Sequence, residues 1–245
     1  MRPHALPVCT HCGAALAKHR RLHCRAGGVN CGIVGGRGSG KSTLVNLLFA
    51  LGKLSHGTVS IDKEDVGVMN KRALRRQLGM VPQKPVIFKG TIRENVCPKI
   101  LGDAQHEALH EDSAKMLAVL KQCRLDQVVA ELGGLDAIVS AQQFSQGQRQ
   151  LLCAARALLR EPTVLVLDEA TASLGKASAI MLQETIYDAF HGTVINIAHH
   201  LDFVRDAQKV LCLNAGGTIA DFDTPKALSA NPESLFSRLE RAEAH

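Results

Sequence analysis

The stretch Gly35-Gly36-Arg37-Gly38-Ser39-Gly40-Lys41-Ser42 constrains this chain more than any other. It satisfies G-x-x-x-x-G-K-[ST]. Apolar Gly32-Ile33-Val34 precedes it, and Thr43-Leu44-Val45-Asn46-Leu47-Leu48 follows. The triplet reads as the end of a buried strand and the later run as an amphipathic helix. Strand, glycine turn and helix together form the setting in which this motif cradles phosphate. The glycines permit backbone angles closed to residues with a Cβ. Successive N–H groups can then turn inward around phosphate oxygens, aided by the positive end of the helix. In that setting Lys41 would reach the outer phosphates and the Ser42 hydroxyl would sit on Mg²⁺. The competing reading is a surface turn with a solvated lysine, and the flanking elements weigh against it.

A second feature belongs to the same logic. Thr163-Val164-Leu165-Val166-Leu167 is an unbroken apolar run, as expected of a strand buried on both faces, and it ends in Asp168-Glu169. Such a strand places the Asp168 carboxylate beside the strand of the glycine loop, where it can hold Mg²⁺. Glu169 can then orient an attacking water. Acids after a strand also cap helices, so the dipeptide alone decides nothing.

The rest of the chain alternates strands with helices, which implies an α/β fold with a mainly parallel sheet and ligands at strand C-termini. Thr58–Asp62, Leu78–Pro82 and Thr193–Ala198 read as strands. Val210–Leu213 and Thr218–Ala220 bracket Gly216-Gly217 as a hairpin. Thr91 with Glu94 is a capping box. From Asp103 to Leu132 the pattern is helical and without proline, with apolar positions at Leu109, Met116, Leu117, Leu120, Leu125 and Val129. Gln148–Arg160 and Ala177–Phe190 are further helices. Two short helices, around 225–229 and 232–242, close the chain.

Charge and cysteine usage bear mainly on the start of the chain. Eight Lys or Arg and no acid precede Asp62, within a net charge of +6 over 245 residues. A basic arm suits an anionic partner, and equally a solvated terminus. No apolar run is long enough to span a bilayer, and the N-terminus lacks the apolar core of a signal peptide. The eight cysteines read as reduced thiols. Cys9-x-x-Cys12 with His19, His23 and Cys24 only loosely matches zinc-ligand spacing.

Phe144-Ser145-Gln146-Gly147-Gln148-Arg149-Gln150-Leu151 is similar to the LSGGQ-RQ signature of ATP-binding cassette (ABC) nucleotide-binding domains. Val81-Pro82-Gln83 resembles that family's Q-loop, Ala170–Leu174 the approach to its D-loop, and Ile197-Ala198-His199 its switch histidine. PVIFKGTIRENV, FSQGQRQLLCAARALLR, LVLDEATASL and FDTPKALSANPESLFSRL look like the second cassette of multidrug-resistance-associated transporters, subfamily C. The resemblance implies a P-loop NTPase core over 31–245, with a helical signature subdomain at about 90–160 between Q-loop and Walker B. A poorly defined basic segment over 1–30 would precede it. It implies ATP and Mg²⁺ as cofactors, with Gly35, Gly36, Arg37, Gly38, Ser39, Gly40, Lys41, Ser42 and Thr43 on the phosphates. Ser42, Gln83 and Asp168 would serve the metal. Lys41, Gln83, Glu169 and His199 would act in hydrolysis, and Ser145, Gly147 and Gln148 would meet the γ-phosphate held by a second cassette in a head-to-tail dimer. The implied partners are that cassette and the coupling helices of a transmembrane domain at the cytosolic membrane face, with no specific nucleic acid.

The chain also departs from the family pattern. Gln146 stands where a glycine is usual, and its side chain would crowd the approach to phosphate. Gly175 stands at the D-loop aspartate, and His200 replaces an arginine. The adenine-stacking aromatic would fall near Thr10 or His11, and no aromatic precedes Phe49. Its early antiparallel strands are expected to be missing, as in a fragment or a clipped start. The alternatives are a soluble ABC ATPase acting on nucleic acid or ribosomes, and a nucleotide-binding fragment without turnover. A GTPase is disfavoured, because Asn70-Lys71-Arg72-Ala73 lacks the aspartate of a guanine reader.

Overall fold

The computed structural model describes residues 23–24, 28–53, 58–62, 64–100, 103–198 and 200–243. In chain order the elements are β1 (His23–Cys24), β2 (Asn30–Gly35), α1 (Lys41–Leu48), β3 (Ser60–Ile61), β4 (Glu64–Asp65), α2 (Lys71–Gln77) and β5 (Leu78–Val81). Next come β6 (Gly90–Thr91), α3 (Ile92–Val96), α4 (Ala104–Glu111), α5 (Ser113–Gln122), α6 (Asp126–Glu131), β7 (Ile138–Val139) and α7 (Gln146–Leu158). The chain then runs through β8 (Val164–Asp168), α8 (Lys176–Ala189), β9 (Thr193–Ile197), β10 (Lys209–Leu213), β11 (Ile219–Asp223), α9 (Pro225–Ala230) and α10 (Leu235–Glu243). It divides into two compact units. One comprises 1–78, 163–169 and 192–245, the other 79–162 and 170–191.

In the first unit the strands lie in the order β11-β10-β2-β9-β8. Among the described pairs of this sheet, β10–β2, β2–β9 and β8–β9 are parallel and β10–β11 is antiparallel. This is the mainly parallel sheet expected from the alternation of strands and helices. Every residue of β9 is buried, as befits a strand flanked on both edges and covered on both faces. A core cluster of Val34, Val204, Val210, Cys212, Leu228 and Phe236 with their neighbours packs the sheet against the C-terminal helices. Gly32 is needed in β2 for close packing: a Cβ there would lie 2.7 Å from Val204 Cβ and Cγ1. Gly32→Ala is therefore expected to destabilise the chain by about 1–3 kcal/mol, the usual cost of overpacking, seen as a lower denaturant midpoint. An unchanged midpoint would mean that Val204 yields freely. Near the start of the chain, β3 pairs antiparallel with β4 and parallel with β1, so a small three-stranded sheet occupies this region.

The second unit is helical. Its α3 starts on the expected capping box: Glu94 N donates to Thr91 Oγ1 (3.0 Å), and Thr91 N donates to Glu94 Oε2 (2.8 Å). The helical stretch from Asp103 to Leu132 is not one helix but three. Asp112 ends α4 and caps α5, accepting from Lys115 N at 2.9 Å. Arg124, at φ 55, turns the chain between α5 and α6. Competition from the Asp112 side chain and a left-handed residue break the run without proline. Helix phase also corrects the apolar face. His106 and His110 are buried at i, i+4, while Leu109 is half-buried and Leu117 is 48% exposed. The two imidazoles are tolerated inside because ring nitrogens bond the carbonyls of Pro98 (His106) and Cys97 (His110, 2.7 Å).

Among the described cysteines, 31, 97, 123, 153 and 212 are free thiols. Burial pushes Cys123 and Cys212 up to about 12, so both stay protonated and unreactive. Cys9, Cys12, His19 and the side chains of His23 and Cys24, the residues of the zinc pattern, lie outside the described residues. Thr10 and His11, near which the missing aromatic would fall, lie outside them as well.

Candidate functional site

The glycine turn leaves β2 at Gly35 and enters α1 at Lys41. Gly36, Arg37 and Gly38 are exposed, while Ser39 and Lys41 are buried. Gly38 (φ 74) and Gly40 (φ 88) hold left-handed angles that favour glycine. Gly35 is needed for space: a Cβ would meet Leu213 O at 2.5 Å and Ser39 Oγ at 2.6 Å. The Lys41 ammonium donates to the carbonyls of Gly35 (2.7 Å) and Gly36 (3.2 Å). The Ser39 hydroxyl oxygen is buried with no hydrogen-bond partner. An orphaned hydroxyl and a buried ammonium inside a glycine turn at a helix N-terminus fit an anionic group. Ser42 and Thr43 occupy the first turn of α1, Ser42 exposed and Thr43 half-buried.

The acids approach from the same end of the sheet. Ile197 of β9 pairs with Ile33 on one side and Asp168 on the other, so the three residues form one row across three strands. The strand carrying Asp168 is therefore not beside the loop strand: β9 lies between them. At the strand spacing of about 4.8 Å, the backbones of Ile33 and Asp168 are roughly 10 Å apart. The chain continues two residues from Ile33 into the loop, and the long Lys41 side chain spans the gap electrostatically. Burial lowers the Lys41 pKa, and the charges of Glu169 and Asp168 oppose that shift. Glu169 sits at φ 48 with its N–H donating to Ile197 O at 2.9 Å. A non-glycine residue held there costs about 1–3 kcal/mol, a pattern common where a side chain must be aimed.

Burial raises the pKa of Asp168 above its ordinary 3.8, the Glu169 charge adds to this, and Lys41 opposes it. The folded chain thus binds this proton more tightly than the unfolded chain. The associated stability is full below the ordinary carboxylate pKa and is lost as pH rises through the raised value. Asp168→Asn removes that dependence. Without nucleotide, the variant is expected to gain stability over the parent at pH 7 relative to pH 4, measured by denaturant unfolding at both. A gain confined to pH 4 would contradict the desolvation account. A bound cation would reverse the penalty. Among the described residues no group of three or more His, Cys, Asp or Glu can hold a metal by itself. One carboxylate and one hydroxyl, completed by phosphate oxygens, is the ordinary donor set for Mg²⁺, and Asp168 and Ser42 fit it.

The remaining candidates lie in the second unit or outside the described residues. His199 is outside them. Ser145 caps α7: its Oγ accepts from Gln148 N (3.2 Å), and Gln148 Oε1 accepts from Ser145 N (2.8 Å). The amide of Gln148 thus serves the turn that presents the helix N-terminus. Gln146 reaches sideways, donating from Nε2 to Ser173 Oγ at 3.1 Å. Gly147 lies against α8, where a Cβ would be 3.6 Å from Ser178 Cβ. Helix α8 starts at Gly175 with no side-chain cap, where an aspartate would supply one.

Gln83 lies in a segment without regular structure, 82–89. Its backbone is held by side chains that sequence reasoning passed over. Gln150 Nε2 donates to the carbonyls of Pro82 (3.1 Å) and Gln83 (3.0 Å). Arg156 donates to Val86 O (3.0 Å) and Asn95 O (2.7 Å), with its guanidinium 5.1 Å from the Phe88 ring centroid. Asn95 pairs with both backbone groups of Phe88. The sequence holds one hint at Gln150: a polar amide directly before the apolar Leu151-Leu152 of the predicted helix.

A family model described as ABC transporter matches residues 19–172. Among curated proteins, "ATP-binding cassette sub-family C member 10" of Mus musculus is 44% identical over 215 residues, covering 86% of this chain and 14% of that protein. "ABC transporter C family member 3" of Dictyostelium discoideum is 43% identical over 213 residues, covering 85% and 14%. Among solved structures, "Structure of a bacterial Atm1-family ABC exporter with ATP bound" matches with a TM-score of 0.77 at 30% identity, covering 89% of this chain and 37% of that one. The chain spans 14% of the length of these two curated relatives. No helix among the described residues is long and apolar enough to cross a membrane.

Proposed function

This chain belongs to the ABC transporter family, with relatives in subfamily C, and from that premise we propose that it binds MgATP and hydrolyses it to power export. The observation carrying this reading is the electrostatic convergence of Lys41, Asp168 and Glu169 at one end of the sheet. Residues 35–43 hold the phosphates, with the Ser39 hydroxyl and the Lys41 ammonium as donors. Ser42 and Asp168 would hold Mg²⁺, the family pattern adds Gln83, and the ion when bound would neutralise charge on the phosphate oxygens. Glu169 orients the attacking water and draws its proton, and the family pattern gives His199 the role of contacting the γ-phosphate. The proposed division is a basic segment at 1–30 and the cassette over 31–245, with the helical signature subdomain at about 90–160.

Turnover on this reading needs a second cassette. Ser145, Gly147 and Gln148 offer a capped helix N-terminus to the nucleotide of that partner. ATP between the two surfaces favours closure, hydrolysis releases it, and coupling helices of a transmembrane domain convert the cycle into transport at the cytosolic membrane face. Mixing the chain with a subfamily C cassette of intact signature tests the reading. Phosphate release is expected with the parent and not with Glu169→Gln. Equal release from both would defeat it. Absence of release from the parent favours the fragment without turnover, the reading that Gly175 and Gln146 support.

A further inference from the structure

The irregular segment holding Gln83 has no ladder to satisfy its carbonyls, which must find donors elsewhere. Helix α7 supplies the donors instead. Gln150 is fully buried, and its single amide group bridges Pro82 O and Gln83 O. Its own Oε1 is buried without a partner. A leucine would avoid that orphaned oxygen, so the donating end accounts for an amide at this position. Gln150 stands five residues beyond Ser145, a rise of about 7.5 Å along the helix. The same rigid helix therefore carries the capped turn 145–148 at its start and the support of Gln83 a turn and a half later.

We propose that Gln150 is a positioning residue, which couples the signature turn of α7 to Gln83 by holding the Gln83 backbone. A displacement of the turn by the partner's nucleotide then moves Gln83 with it. The inference rests on the roles proposed above for Gln83 and the signature. It predicts that Gln150 acts on hydrolysis through Gln83 and leaves phosphate binding by the glycine loop intact.

A double-mutant cycle tests this on the full chain mixed with a partner cassette. Gln150→Met keeps length and loses the donors. It is expected to lower kcat about tenfold while leaving nucleotide affinity within twofold. In a Gln83→Ala background the same change is expected to cost nothing further, because the group being positioned is gone. Gln150→Asn, with an amide on a shorter stem, replaces Gln150→Met should the latter fail to fold, and is expected to lose less than tenfold. Equal losses in both backgrounds, no loss in the parent, or a fall in nucleotide affinity would overturn the inference alone. No turnover from the unsubstituted chain with its partner would overturn the ATPase reading and this inference together.

Discussion

Lys41→Ala is expected to weaken ATP binding by about 100-fold, the largest affinity loss from any single side chain in this protein. The ammonium is buried at the mouth of the glycine turn and donates to Gly35 O and Gly36 O. Contacts from a charged donor are worth roughly 1.5–3 kcal/mol each, and two lost from phosphate oxygens give at least that factor. Burial makes the charge expensive here, and Asp168 and Glu169 offset only part of the cost. A polyanion offsets the rest, so bound nucleotide should be the preferred state of this lysine. Titration with a fluorescent ATP analogue in Mg²⁺ measures the loss, and a thermal unfolding scan checks that the variant is folded. A folded variant with unchanged affinity would remove the phosphate-binding assignment.

Glu169→Gln should separate binding from chemistry. The amide keeps the shape of the side chain at φ 48 and the backbone bond to Ile197 O. It removes the group that can take a proton from water. General-base contributions are about 10²–10⁴-fold, so kcat should fall by that factor while nucleotide affinity stays near the parent value. With hydrolysis stalled, the nucleotide-bound dimer should accumulate, visible by size-exclusion chromatography in MgATP. A variant that hydrolyses at the parent rate would reassign the base. One that loses affinity instead would place Glu169 among the binding groups.

The glycine loop, the buried strand before Asp168 and the capping box at Thr91 were legible because each is local. Turn geometry, helix caps and strand burial are fixed by residues a few positions apart. The loop was read from its spacing and its flanking strand and helix, while the burial of Ser39 and Lys41 emerged in the structure. The breaks at Asp112 and Arg124 were not legible. Nothing in apolar periodicity distinguishes one long helix from three whose phases happen to agree. The burial of His106 and His110 was hidden for a related reason: their partners are the carbonyls of Cys97 and Pro98, on a different element.

What the sequence by itself determined was the kind of site: a phosphate cradle, two acids at a strand end and a capped helix N-terminus. These depend on backbone freedom and residue chemistry over short spans. Only the tertiary structure decided how they are arranged. It inserted β9 between the two functional strands, turned Gln146 toward Ser173, and set Gln150 and Arg156 against the carbonyls of residues 82–86. Those pairings join groups up to 70 residues apart. They follow from packing and from the need to satisfy the carbonyls of an irregular segment, and local pattern offers no more than a hint of this at Gln150.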